Sequence, residues 1–364
     1  MGTRSGGSEI SVPTLISRIK QINREYSENF CLPDAQAERR WFCEEYPVGL
    51  FSFGCMDGRN NIPNATEIPL GVMKNFHFAG GEWHWWNNVS TVFSKDIARH
   101  EKKHRASLVL VSYHFSRSEK HLGCAWFNYD TDAAIKANLK FLKKIERVYG
   151  DKHKVVFPVL VGLETDEESL VIHDSNNHEN VLRVADLQEY DENYLKTTLV
   201  QMFGLIEANT MKMLLRLIAG NINHVAKIRA SHRPVIDLDH REWILAIGNG
   251  LDWFRATNQA IIIGMYSYNP QEAIKTAASV IEKNLRTGQI SKEDGFVLLA
   301  SSSFHSESGY EKTSAREIAL EYMRFAKEII AQHYPQLLEM MHPLVTITNL
   351  DDRKFIEVKD IDLD

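Results

Sequence analysis

Short apolar runs that end in a polar, turn-prone loop and then give way to an amphipathic helix recur along this chain. They do so in two similar series. In the first, Val48–Gly54 leads into the loop Asp57–Asn64. Arg105–Tyr113 precedes the helical stretch Thr131–Tyr149, which gathers Ala134, Leu139, Leu142 and Ile145 on one face, and Lys154–Val161 is a third run. Apolar runs this short, bounded by turn residues, fit buried strands, and a period near 3.6 fits a helix. Strands alternating with helices predict an α/β fold with a mostly parallel sheet, in which ligands sit at the carboxyl ends of strands. Upstream, Val12, Leu15, Ile16, Ile19 and Ile22 predict a helix over Ser11–Tyr26, a break at Pro33 and a second helix over Ala35–Glu45.

The second series follows the same programme. Trp243–Gly248 runs into Asn249-Gly250-Leu251-Asp252 as Val48–Phe53 runs into Gly54-Cys55-Met56-Asp57, an offset of 250 − 55 = 195 residues. Phe296–Ser301 followed by Phe304-His305-Ser306 echoes Leu108–Tyr113 followed by His114-Phe115-Ser116, and a helix over Ser314–Gln332 and a strand over Leu344–Ile347 come next. A degenerate tandem duplication accounts for this; two unrelated α/β units are the alternative. The expected division is an N-terminal helical segment (1–45), a metal-bearing domain (46–190), a helical connector (191–235, its core Tyr194–Ile228) and a second copy (236–364). Gly250 in place of Cys55 and Phe254 in place of Arg59 leave that second copy without a site of the same kind.

Composition narrows the function classes. Lys and Arg number 42 against 48 Asp and Glu, a net charge of −6, so no nucleic-acid footprint is expected. No uncharged apolar run reaches the roughly 18–20 residues a bilayer span needs; the best, Ala260–Met265 and Ser107–Val111, suit buried strands. Met1–Pro13 carries Arg4 and Glu9, lacks an apolar core, and has Gly6 where myristoylation wants Ser or Thr, so neither a signal peptide nor that anchor is expected. Four cysteines are too few for a disulfide scaffold, which points to the cytoplasm or another reducing compartment.

Cys55-Met56-Asp57-Gly58-Arg59 places a thiol, a carboxylate and a guanidinium within five residues after a buried strand. Another strand ends in His114; Cys124 lies ten residues on, with His121 between. Two thiolates and one imidazole suit Zn2+, and three protein ligands leave the fourth tetrahedral position for water. By spacing alone, buried free cysteines and a simple Asp57–Arg59 loop salt bridge are the alternatives. A cysteine phosphatase is excluded, since Asn61 stands where Cys-x5-Arg needs arginine, and Gly248-Asn249-Gly250 lacks the third glycine and the lysine of a phosphate loop.

The order of these motifs resembles the β-class carbonic anhydrases, whose pattern is Cys-x-Asp-Ser-Arg, Arg-Asn-Ala-Gly-Asn, then His-x-x-Cys-Gly. The likeness covers Tyr46–Val161 and includes Phe78-Ala79-Gly80-Gly81; the second copy resembles the duplicated arrangement of carboxysomal members, and the longer His-to-Cys gap occurs in carboxysomal and algal limiting-CO2-inducible types. Gly58 replaces the family's Ser, and His77-Phe78 replaces Arg-Asn. The resemblance implies a zinc-dependent lyase that reversibly hydrates CO2 to bicarbonate. Zinc would be held by Cys55, Cys124 and a histidine. Asp57 would orient the attacking hydroxide, and Arg59 would hold Asp57 off the metal. His114 ends its strand 59 residues after Cys55, as the family's ligand does; His121 is the alternative because His121-Leu122-Gly123-Cys124 keeps the His-x-x-Cys spacing. With His114 as ligand, Phe115–Gly123 is an inserted loop over the site. Because single-copy members build their sites as dimers, the resemblance also implies a pseudo-dimeric chain with one site, assembling further as a homo-oligomer. A microcompartment is a compatible location. A non-catalytic zinc regulator or assembly component of a CO2/bicarbonate system is the rival class, against which the Asp57–Arg59 pair argues.

Trp83-His84-Trp85-Trp86 reads as packing between the copies, with a CO2 pocket as the alternative. His100 and His104 read as solvated surface, the isolated His173, His178, His232, His240 and His305 as surface or hydrogen-bonded histidines and not ligands, and Cys31 and Cys43 as buried thiols.

Overall fold

The computed structural model describes residues 12–82, 88–150, 154–233, 238–254, 256, 258–265, 267, 269–307 and 309–359. The motif Trp83-His84-Trp85-Trp86 lies outside them. The chain divides into two compact units, one on Leu32–Asp239 and one that joins the chain up to Cys31 with most of His240–Asp364.

The elements in chain order begin with α1 (Val12–Cys31), α2 (Pro33–Glu45), β1 (Gly49–Cys55), α3 (Ile62–Ala65), β2 (Met73–Phe78), α4 (Asn88–Glu101), β3 (Ser107–Phe115) and α5 (Thr131–Ile145). Then come β4 (Val156–Glu164), β5 (Ser169–His173), β6 (Val181–Arg183), α6 (Glu192–Phe203), α7 (Ala208–Ser231), β7 (Ile244–Gly248), β8 (Ala260–Ile263), α8 (Pro270–Thr287), β9 (Phe296–Phe304), α9 (Gly309–His333), β10 (Met341–Asn349) and β11 (Phe355–Glu357).

In the first unit the sheet runs β2-β1-β3-β4-β5-β6, parallel through β4 and antiparallel beyond it. Alternation along β1 and β3 sends side chains into two cores. Leu50, Leu108 and Leu110 pack with Leu195, Leu199, Leu214 and Ile218 of α6 and α7. Phe51, Phe53, Val109 and Val111 pack with Phe93 of α4 and Phe141 and Ile145 of α5. Phe53 lies 4.7 Å from the Phe76 ring and 5.2 Å from both Phe93 and Phe141, so an aromatic cluster holds the end of β1 where the thiol motif begins. Asp130 caps α5 by accepting from the Ala133 N–H, and Gly204, at φ +71°, separates α6 from α7.

The second unit repeats that strand order as β8-β7-β9-β10, all parallel, with β11 antiparallel at the edge. The α/β class and the mostly parallel sheets expected from the sequence are what the structure has. Helix α8 starts at the Asn269 cap with Pro270 in its first turn and ends at Gly288 in the left-handed region. The first helix belongs to this unit: Asn23 donates to the Arg353 carbonyl and Ser27 to that of Asp352, while Lys20 pairs with Glu357 at 2.8 Å.

The readings of His100, Cys31 and Cys43 change. His100 is half-buried with its Nδ1 3.0 Å from the Ser107 hydroxyl, because Gly49 lets the ring approach β1. Helix α1 runs on to Cys31, and Cys31 and Cys43 are half-buried rather than buried. His173 is a buried, hydrogen-bonded histidine as expected, its Nε2 2.8 Å from the Tyr113 hydroxyl.

Candidate metal centre

The carboxyl ends of β1 and β3 deliver the first two groups, and the loop between β3 and α5 delivers the third. Ligand atoms of Cys55, His114 and Cys124, all buried, lie within 4.8 Å of one another, and the two sulfurs are 3.6 Å apart. His121, the alternative by spacing, sits in an exposed turn, its side chain 62% accessible and 3.4 Å from Glu119. The structure therefore brings His114 and not His121 to the two thiols.

Close backbone approaches make this convergence possible. A Cβ on Gly54 would stand 2.4 Å from the Ser112 hydroxyl and 2.5 Å from the Asn60 amide, which links β1 to β3 by donating to that hydroxyl at 3.1 Å. Gly81, at φ +76°, tucks the segment after β2 against Asn138 of α5, whose amide donates to the Gly80 carbonyl at 3.3 Å. The Met56 N–H donates to the Phe78 carbonyl, and His77 Nδ1 lies 3.1 Å from the Cys55 carbonyl, so β2 supports the backbone of the thiol loop. Burial holds the His77 imidazole below its ordinary pKa.

Asp57 and Arg59 are joined by two parallel contacts, Nε to Oδ1 at 3.1 Å and Nη2 to Oδ2 at 2.7 Å, and the Arg59 N–H adds a third at 2.9 Å. Such a fork fixes the carboxylate plane. Asp57 Oδ2 is 3.7 Å from His114 Nε2, so the pair borders the three candidate ligands.

The electrostatics suit metal binding. The hydrogen bond with Cys124 drives the Cys55 thiol well below its ordinary pKa despite burial; the same bond, together with burial, holds Cys124 well above. Burial opposes charging of His114, yet Asp57 and Cys55 together raise its pKa. The trio shares protons that a cation would displace. Neither ring nitrogen of His114, which is 1% exposed, has a hydrogen-bond partner among the described residues. Buried imidazoles are ordinarily partnered, and an imidazole beside two thiols that lacks a partner is the donor set zinc takes. The residues present fit the metal.

Residues 53–202 match the family model described as the catalytic domain of the carboxysome shell carbonic anhydrase. This segment is therefore similar to a carbonic-anhydrase catalytic domain of the carboxysomal type. The chain is also 25% identical over 225 residues to the carboxysome shell carbonic anhydrase of Prochlorococcus marinus subsp. pastoris, an alignment that covers 54% of this chain and 44% of that relative. The chain thus spans less than half of the relative's length. No helix of the described residues is long and apolar enough to cross a membrane.

Two acidic residues near the candidate site are not singled out by the sequence. Glu164, at the end of β4, is buried, and Asp166 follows two residues later, bonded to Ser116, Arg117 and Ser118. The signal for them is position: they lie at the carboxyl end of the strand next to β3, the edge where parallel sheets place function.

Proposed function

We propose that this chain reversibly hydrates CO2 to bicarbonate at a zinc ion held by Cys55, His114 and Cys124. The observation that carries the reading is the buried, unpartnered His114 imidazole facing two thiols beside the Asp57–Arg59 fork, within a segment that matches a carbonic anhydrase domain. When bound, zinc supplies a Lewis-acid centre that makes water acidic near neutral pH. Asp57 accepts a hydrogen bond from the attacking oxygen at its carboxylate and so aims a lone pair at the carbon of CO2. Arg59 keeps Asp57 ionised and oriented, and prevents the carboxylate from swinging in as a fourth ligand. The low-dielectric surroundings strengthen both effects.

The second unit reads as a degenerate copy, which makes the chain a pseudo-dimer with one site; the same strand order in the two sheets supports this. The relative's name places that protein in a carboxysome shell, and we extend to this chain the corresponding setting: a bicarbonate-handling microcompartment, with further assembly of the chain into a homo-oligomer. The test is paired: zinc content by elemental analysis and CO2 hydration by stopped flow on the same sample. One zinc per chain with inhibitor-sensitive turnover is expected. One zinc without turnover would favour the regulator, and a metal-replete preparation without zinc would overturn the reading.

A further inference from the structure

We propose that Asp166 is a positioning residue for the metal centre: it anchors the loop that carries Cys124 and thereby sets how slowly the metal leaves. The inference rests on the zinc reading above. Cys55 and His114 ride on strand ends, whereas Cys124 is separated from β3 by the segment Ser116–Gly123. Asp166 grips the start of that segment, accepting from the Ser116 hydroxyl at 2.6 Å and from the N–H groups of Arg117 and Ser118 at 3.1 and 2.8 Å. The Ser116 oxygen in turn accepts from the Glu119 N–H at 3.2 Å; Leu122 N–H then donates to the Glu119 carbonyl and Gly123 N–H to that of Lys120. Hydrogen-bonded turns thus run without a gap from Asp166 to the residue before Cys124. Beyond it, the Cys124 carbonyl accepts from Phe127 and Tyr129.

The gripping turn is itself fixed. Glu164 accepts from the N–H groups of Asp166 at 2.8 Å and Glu167 at 3.3 Å and meets Arg117 at 3.4 Å, while Thr165 N–H donates to the Phe115 carbonyl. The second unit contains the same grip without the cargo. Asp351 lies 3.1 Å from His305 Nδ1 and accepts from the Ser306 N–H at 2.8 Å, and Asn349 accepts from the Asp351 N–H at 3.1 Å as Glu164 does from Asp166. There α9 begins at Gly309, and no thiol follows. Asp351 is therefore an internal control for any effect of loosening the fold.

The experiment measures zinc release from the full chain into excess chelator after zinc content has been determined. Asp166→Ala is expected to accelerate release by about tenfold or more, the scale on which groups that orient ligands act, and to alter the thiolate-to-metal absorption band of the cobalt-substituted protein. Ser116→Ala, a milder cut in the same string, is expected to give a smaller acceleration, which keeps the test decisive if Asp166→Ala does not fold. Asp351→Ala is expected to release zinc at the wild-type rate. Unchanged release in the Ser116 and Asp166 variants, or equal acceleration in Asp351→Ala, would overturn the positioning role while leaving the zinc reading intact. A wild-type chain that holds no zinc would overturn both.

Discussion

Where Cys55 closes β1, Gly250 follows β7 in the left-handed region at φ +75°, and at the sheet level of His114 the second unit carries Phe304. The loop that brings Cys124 to the first site has no counterpart, since only a short link joins β9 to α9. Fully buried Trp253 occupies the neighbourhood instead, its Nε1 donating to Thr348 at 3.2 Å, and Phe304 is buried as well. Three separate features of the candidate metal site are missing, yet the order and direction of the strands are the same. The difference teaches that this sheet is held by its two apolar faces and not by the ligands, so the site is an addition that the fold can carry or omit.

The sharpest way to break that comparison is to remove a proposed ligand from the first unit. Cys55→Ser or Cys124→Ser should abolish zinc binding and reduce CO2 hydration by about 10³-fold or more while the chain stays folded; elemental analysis with stopped flow checks this, and full zinc occupancy in either variant would refute the ligand set. The reverse change should fail. Gly250→Cys combined with Phe304→His should bind no second zinc, because no loop supplies the third ligand. It should also lower stability by about 1–3 kcal/mol through the left-handed backbone at 250 and the buried imidazole; two zinc ions per chain would contradict the account.

A smaller effect separates the two aspartates that occupy matching places. Asp57→Ala should keep zinc and lose about 10²-fold in turnover, since one preorganised polar contact is removed. Asp252→Ala breaks only an exposed 2.7 Å pair with Arg353 and should cost below about 1 kcal/mol in chemical denaturation, with turnover unchanged.

The smallest contrast is one of pH. Burial, followed by the charge of Asp166, pushes the Glu164 carboxyl up to about 7, whereas the second unit has the uncharged Asn349 there. A carboxyl raised in the folded state stabilises the fold while protonated, and that contribution is lost as pH rises through about 7. The wild type should lose on the order of 1–3 kcal/mol of unfolding free energy between pH 4.5 and 7.5, and Glu164→Gln should flatten that profile. An equally steep profile in the variant would remove Glu164 as the cause.

The strands legible in the sequence have fully buried centres, although the buried β5 is not among them. Strands β1, β3, β4, β7, β9 and β10 carry apolar runs because both faces of their central residues are covered. Strand β2 was not legible: Met73-Lys74-Asn75-Phe76-His77-Phe78 lies at a half-exposed edge and mixes charge with aromatics. The same holds for the short antiparallel β6. Helix α8 carries periodic Ala273, Ile274, Ala277 and Ile281, but alanine is a weak apolar signal beside the leucines of α5. At the candidate site, the Cys55–Arg59 motif is local and could be read directly. The choice between His114 and His121 turned on whether a loop intervened before Cys124, and only the three-dimensional path of that loop places one imidazole inside and the other in solvent.

Helix α1 has a consequence for synthesis. Its partners Asp352, Arg353 and Phe355 emerge about 320 to 330 residues later, since the Ser27–Asp352 and Asn23–Arg353 bonds span 325 and 330 positions. At roughly 5–20 residues per second, the apolar stripe of Leu15 and Ile19 waits tens of seconds for its own layer to be made. The docking of α1 therefore completes only after the segment carrying Asp352 and Arg353 has been made, a long-range contact formed late.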